Sequence, residues 1–417
     1  MKIGNIFKGD KVIWMVFFFL CMISLVEVFS ASSNLTYKSQ NYIKPILFHA
    51  STILAGFVMA VLTLNIPCKY FKAMTLPLLV LSGFTLLWVL IGGESINGAN
   101  RVIAIGSLTF QPSEIAKGTI VLYTAQILSA MQREDGADPN AFRYILWITI
   151  PMVFLIMLEN LSTAALLSFV VLLMMIIGRV PMRQLGKLMG VVVALMVVGV
   201  TFIMLAGGNP NQDESLSKTD SMEGVKKEEK STIDKVFHRA TTWKGRISKF
   251  MVAKETPVDS VDLDKDMQEV HASIAIVSSG IIGRGPGNSV ERDYLPQAFS
   301  DFIYAIIIEE MGIEGAIFVV FLYIILLFRA ARIATQCENN FPALLCMGLA
   351  LLLVVQAIFN MLVAVGLVPV TGQPLPLISK GGTSTIINGA YIGAILSVSR
   401  WAKKKKEKGV HPAVATA

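Results

Sequence analysis

Between Gly283 and Gly312 the chain reads Gly283-Arg-Gly-Pro-Gly-Asn-Ser289, then Tyr294-Leu-Pro296, then Ser300-Asp301-Phe302 and an apolar run that carries Glu309 and Glu310. Asp301 is the residue here best placed for chemistry, because a carboxylate at the border between polar and apolar sequence can serve as a general base where water meets lipid. Gly283, Gly285 and Gly287 permit backbone shapes closed to other residues, and Pro296 disfavours helix just before it. The pattern predicts a helix starting at Ser300 or Asp301. Asp301 also has a plain structural reading, since Asp is a preferred N-cap. At about 100° per residue, Glu309 lies about 80° round the helix from Asp301 and Glu310 lies opposite, so of the two only Glu309 borders the same cavity.

Four cations are candidates to join this acid. Lys117 stands three residues after Glu114 in Phe110-Gln-Pro-Ser-Glu-Ile-Ala-Lys117, one helical turn on, so the two can form a structural ion pair or serve a site. Gln111 and Pro112 supply a helix start, and Arg101 lies in the loop just before it. Arg246 belongs to a basic amphipathic stretch, and Lys380 to the segment Pro369 to Ser384, which is too rich in Pro and Gly for an ordinary connector. Such a segment reads as shaped backbone buried in protein or lining a cavity. Gln356 and Asn360, four apart, share a helix face and suit bridging between helices. One base with several anion clamps fits transfer from a pyrophosphate leaving group, where cations stabilise the charge that develops.

The elements that hold these groups must cross a membrane. Hydrophobic residues make up 54% of the chain and charged residues 16%, against about 25% charged in soluble proteins. Ten windows are long or apolar enough to span: 12–30, 45–65, 75–92, 113–131, 144–158, 161–178, 187–206, 301–328, 342–365 and 381–399. The expected fold is therefore an all-α polytopic membrane protein, with spans 1–7 in residues 1–206, a large extracytoplasmic loop over 207–300, spans 8–10 in 301–400 and a basic cytoplasmic tail over 401–417. The first span lacks a small-residue cleavage pattern and reads as retained.

Orientation follows from the short loops. With both termini inside, the cytoplasmic segments take most of the short-loop Lys and Arg, including Lys403 to Lys406, while the short outer loops hold only Lys38, Lys44, Arg101 and Lys380. The net charge of +7 is thus mainly a topology signal, and no basic patch with nucleic-acid readout chemistry is visible. Within the large loop, 208–233 reads as a solvated, flexible insertion. Over 235–251, Lys235, Arg239, Arg246 and Lys249 line one face of a helix and Trp243, Ile247 and Phe250 the adjoining one. That segment suits the membrane surface, either as an anchor to lipid headgroups or with Arg246 on a lipid-linked phosphate. Cys21, Cys68, Cys337 and Cys346 form no disulfide framework, and the scattered histidines give no zinc spacing. No inverted repeat of broken spans is seen, which weighs against a carrier.

Three segments in this order resemble motifs of the SEDS family (shape, elongation, division and sporulation). They are Gly98-Ala-Asn-Arg101 with Gln111 to Lys117, then Gly283 to Ser289 with Tyr294 to Pro296 and Ser300 to Gly312, then Pro369-Val-Thr-Gly372 with Leu375-Pro376, Ile378-Ser379 and Gly381-Gly382. The Gly287-Asn-Ser289 run is closer to the family's division members than to its elongation members. The resemblance implies a membrane glycosyltransferase that polymerises lipid II into peptidoglycan, with Asp301 as general base. Arg246, Lys117 and Arg101 would offset the charge of the undecaprenyl pyrophosphate leaving group, and a divalent cation, Mg or Mn, can assist there. It further implies a class B penicillin-binding protein (an FtsI-like transpeptidase) and other division proteins as partners, in the bacterial inner membrane at the septum.

The chain departs from the family's pattern at several places. Gln297 and Phe299 stand where relatives carry Glu and His, and Glu159-Asn160 replaces a usual Pro-Asp. Asp293 stands where relatives often carry another acid, and Lys380 replaces a usual Tyr, adding a cation or only snorkelling to the interface. Two other functions remain open: a lipid II flippase, which shares the need for anion-binding groups, and a scaffold that recruits partners.

Overall fold

The computed structural model describes residues 7–31, 43–92, 94–96, 99–105, 108–206, 267–295 and 298–409. Its helices are α1 (Lys11–Ala31), α2 (Ile43–Asn65), α3 (Cys68–Gly92), α4 (Pro112–Ala130), α5 (Pro139–Glu159), α6 (Leu161–Ile177), α7 (Met182–Ala206), α8 (Met267–Ser279), α9 (Ile303–Thr335), α10 (Asn340–Ala364) and α11 (Thr383–Gly409). Each apolar window read from the sequence falls on one of these. Among the described residues, six helices are both long and apolar enough to cross a bilayer: α1, α2, α3, α5, α9 and α10. The chain is a multi-pass membrane protein.

Burial singles out α10 as the bundle's centre: its Leu- and Val-rich sequence is apolar all round, and it packs against α4, α6, α9 and α11. Helices α1, α2, α3, α5, α7 and α9 turn large apolar side chains outward, as lipid-facing helices do. The tightest pairing is α2 with α11. A Cβ on Gly389 would come within 2.2 Å of the Gly56 carbonyl oxygen, and one on Gly393 within 2.4 Å of the Ala60 oxygen. This is the close backbone approach that small residues four apart allow. At the far end from Asp301, Asp10 caps α1 through the amides of Val12 and Ile13 (2.9 and 3.3 Å) and takes a two-pronged ion pair from Arg329 of α9, at 2.6 Å for the shorter prong.

Between α3 and α4 the chain forms a small antiparallel sheet, β1 (Glu94–Ile96), β2 (Ala99–Ile105) and β3 (Leu108–Phe110), which the sequence reading treats only as a loop. A two-stranded ribbon, β4 (Gln132–Arg133) with β5 (Gly136–Ala137), joins α4 to α5.

The helix expected at Ser300 or Asp301 begins two residues later. Phe302 occupies the N-cap of α9 without a side-chain cap, so Asp301 lies in the turn ahead of the helix and is not its cap. This α9 is also not one continuous rod. Gly312 has φ 69° and ψ −172°, which breaks the helix into a short N-terminal piece and a long one. The sequence reading anticipates no broken span.

Candidate active site

Two clusters arise where the motif segments meet. The first forms around the loop 366–382 between α10 and α11. Pro112 at the first position of α4 places Glu114 in its first turn and Lys117 one turn on, facing α10. Lys117 is fully buried, with its Nζ 2.8 Å from Glu114 Oε1 and donating to Gln356 Oε1 at 2.7 Å. Gly118 leaves room for the ring of Tyr391, whose hydroxyl accepts from the Gly118 amide and donates to the Glu114 carbonyl. The pair is thus sealed inside the bundle, with Lys117 bonded on both sides and Glu114 Oε2 left without a hydrogen-bond partner among the described residues.

Gln356 donates in turn to the Pro374 carbonyl at 3.0 Å. One turn along α10, Asn360 donates to the carbonyls of Asp301 (2.8 Å) and Gln373 (2.7 Å). The Gln373 side chain reaches Thr163 Oγ1 at 2.7 Å, near the start of α6, where Asn160 caps the helix through the amides of Ser162 and Thr163. Ser379 Oγ donates to the Ser300 carbonyl at 2.6 Å and accepts from the Leu375 amide at 2.7 Å. Asp301, partly exposed, takes a hydrogen bond from Ser300 Oγ at 2.8 Å, and its Oδ2 would lie 3.5 Å from a Cβ placed on Gly372. Lys380 donates its amide to the Phe299 carbonyl and sets its ammonium over the Phe299 ring, 4.9 Å from the centroid. Burial holds its ammonium below the usual lysine range. The loop therefore gathers Asp301, Lys117 and Lys380.

The second cluster is built on two adjacent acids. Glu309 and Glu310 are fully buried and enclosed by the loop 284–292. Glu309 accepts from Ser289 Oγ (2.5 Å), the amides of Val290 and Glu291, and Arg284 (3.1 Å). Glu310 accepts from the amides of Gly287 and Ser289 and from Ser30 of α1, and Arg292 stands 3.8 Å away. Their backbone carbonyls, freed by the break at Gly312, accept from the amides of Arg284 and Gly285. The helical-wheel expectation that Glu309 borders the Asp301 cavity and Glu310 faces away does not describe this arrangement. Both acids bind the loop, because the chain folds back over the break. Asp293 is exposed in a 3₁₀ turn over Glu291–Asp293, 3.9 Å from Arg292.

Of the remaining candidates, Arg246 lies outside the described residues, and Arg101 is described only through its backbone in β2. Sequence reasoning missed Gln373 and Ser379, both inside a segment it had marked as shaped. It also missed Glu27 of α1, a buried acid whose carboxylate has no hydrogen-bond partner among the described residues. An acid inside an apolar window is itself a signal. Also among the described residues, no group of three or more His, Cys, Asp or Glu could hold a metal ion.

A family of cell cycle proteins, FtsW, RodA and SpoVE, has a model that matches residues 10–222 and 230–404. The chain belongs to this family. Among curated FtsW/RodA/SpoVE relatives, the Halomonas elongata protein named "Probable peptidoglycan glycosyltransferase FtsW" is 30% identical, over 86% of this chain and 83% of its own. The Bacillus subtilis protein of the same name is 26% identical over 94% and 89%. Among solved structures, a chain of a peptidoglycan synthase complex superposes with a TM-score of 0.69 at 22% identity, covering 94% of this chain and 98% of that one. Thermus thermophilus rod shape determining protein RodA superposes with a TM-score of 0.62 at 22% identity, covering 95% and 98%. At this identity the structural likeness establishes the shared FtsW/RodA fold.

Proposed function

We propose that the chain is a peptidoglycan glycosyltransferase that polymerises lipid II into glycan strands during cell division, with Asp301 as its general base. The observation that carries this reading is the match, over nearly the whole chain, to relatives named for that activity. For the base, support comes from the division of labour among the acids. Glu309, Glu310 and Glu114 are buried and already bonded within the protein, whereas Asp301 stands partly exposed between two motif segments.

In the reaction, Asp301 takes the proton from the 4-hydroxyl of the acceptor's GlcNAc as that oxygen attacks the anomeric carbon of the donor's MurNAc. The bond from that carbon to the pyrophosphate oxygen breaks, its electron pair leaves with undecaprenyl pyrophosphate, and the sugar's configuration inverts. Lys380, Arg101 and Arg246 offset the charge growing on the pyrophosphate, and Lys117 contributes from beneath while locking α4 to α10. Among the described residues no group of three or more His, Cys, Asp or Glu could form a cage for Mg or Mn. The same reading takes ten spans, an outer loop over 207–300 and an inner-membrane location at the septum. A class B penicillin-binding protein is the expected cross-linking partner.

A second reading, translocation of lipid II, is favoured by the break in α9 and the buried Glu27, since broken helices and intramembrane acids mark transport paths. One experiment separates the two: polymer formation from purified lipid II with a partner synthase whose transpeptidase is inactivated, comparing the parent with Asp301→Asn. Glycan chains from the parent alone support the base. Equal chains from both remove Asp301 from the mechanism, and an inactive parent that still moves lipid II across vesicles supports transport.

A further inference from the structure

We propose that Asn360 is a positioning residue for the reaction, fixing the main chain that carries Asp301 against the loop after α10. The proposal rests on the reading of Asp301 as general base. The side chain of Asn360 is 1% exposed, and its two N–H groups are both spent on carbonyl oxygens, those of Asp301 and Gln373 at 2.8 and 2.7 Å. Since both partners only accept, the amide can face only one way. Those carbonyls belong to two of the three motif segments. One buried side chain thus ties the acid's own peptide to the loop.

The other side of Asp301 is held as well. The preceding carbonyl, of Ser300, accepts from Ser379 Oγ at 2.6 Å, so both peptides flanking the Asp301 Cα are gripped by α10 or its loop. Such grips are needed because Asp301 lies ahead of the first turn of α9, where no helical hydrogen-bond ladder fixes it. Beside the carboxylate, Gly372 takes φ +67°, and a Cβ placed there would stand 3.5 Å from Oδ2, in ordinary contact. Asn360 can do this because α10 is the most buried span, and because Gln356, one turn away, anchors the adjacent carbonyl of Pro374 and Lys117 together. The support is therefore rigid, as a base that must meet a hydroxyl within hydrogen-bond reach requires.

The test measures lipid II polymerisation by the full chain with its partner synthase, as kcat and KM separately, for Asn360→Ala, Asn360→Gln, Ser379→Ala and Asp301→Asn. Hydrogen exchange over 298–303 and over α10 is read in each. A base displaced by about 1 Å costs on the order of 100-fold. Asn360→Ala is expected to lower kcat by roughly that factor with KM within about twofold, to speed exchange over 298–303 and to leave α10 protected. Asn360→Gln keeps the donors on a longer arm and should fall between parent and Ala, which decides the matter if the Ala variant does not fold. Ser379→Ala should repeat the kcat defect more weakly. Asp301→Asn inactive with both Asn360 variants near parent kcat overturns the positioning role alone, as does a loss carried by KM. Asp301→Asn with parent activity overturns the base and this proposal together.

Discussion

Replacing Gly312 with alanine tests whether the break in α9 and the loop above it form one unit. Gly312 has φ 69° and ψ −172°, a region nearly closed to other residues, so alanine there costs about 1–3 kcal/mol from backbone conformation alone. The added Cβ would also sit 2.0 Å from the Ile281 oxygen and 2.6 Å from the Gly283 nitrogen, both main-chain atoms with no rotamer to yield. Relief requires the 281–283 backbone to move. That chain continues into the amides of Arg284, Gly285 and Gly287, which bond the Glu309 and Glu310 carbonyls and the Glu310 carboxylate. Losing one hydrogen bond to a buried carboxylate costs about 1.5–3 kcal/mol, so the whole substitution should cost roughly 3–6 kcal/mol. Gly287→Ala is the control: its φ of +85° carries a comparable backbone penalty, with nothing within 4 Å of the new Cβ. It should cost only about 1–2 kcal/mol. Thermal unfolding of purified protein in detergent, with hydrogen exchange over 281–291, compares the two. Equal losses of stability would refute the argument that the loop is stitched into the break.

Lys117→Met leaves Glu114 charged and buried without its cation, at a cost of about 3–5 kcal/mol, and adding Glu114→Gln should recover much of that. A single variant as stable as the double one would contradict the buried pair. At the opposite end, burial pushes the Asp10 carboxyl up, but Arg329 and the amides of Ile13 and Val12 outweigh it and hold it below the ordinary 3.8. A lowered carboxyl stabilises the fold above 3.8 and loses that contribution as pH falls through its folded value. Arg329→Gln should therefore destabilise the protein at neutral pH, with the gap to the parent narrowing in unfolding scans as pH falls from about 5 to about 3. Glu27→Leu replaces a buried carboxyl that has no hydrogen-bond partner among the described residues, and should raise stability by about 1–3 kcal/mol while polymerisation persists. Loss of polymerisation in a folded Glu27→Leu protein would give that acid a role in the reaction.

The spans are legible because a bilayer demands about twenty apolar residues at a stretch, and the start of α4 because Pro112 is a local signal. Gly389 and Gly393, four apart, are small residues at helical spacing and make the α2–α11 contact, a signal the sequence reading passes over. The start of α9 was not legible. An aspartate after polar sequence is a local argument for a cap, whereas its real constraints come from Asn360 and Ser379, fifty-nine and seventy-eight positions further along. The helical wheel failed at Glu309 and Glu310 for a related reason: it assumes that a straight helix presents each side chain to one neighbour. Here a glycine at 283 meets a glycine at 312, and the chain between them closes over both acids.

The charges within the bundle bear on how the family's chemistry can work in this chain. A path that moves a lipid-linked pyrophosphate through the membrane needs groups that exchange partners as the cargo passes. Lys117 with Glu114, Arg329 with Asp10, and Glu309 and Glu310 with the 284–292 loop each hold bonds made within the protein, at opposite ends and through the middle of the bundle. Breaking any of them to admit cargo would expose a buried charge, at a cost of several kcal/mol per step. Polymerisation asks for no such exchange. It needs one carboxylate at the surface and a scaffold that does not yield, and these paired charges spend their bonds on that scaffold, with Glu27 the exception. A rigid interior beneath a partly exposed acid therefore suits a reaction at one face of the membrane better than passage through it.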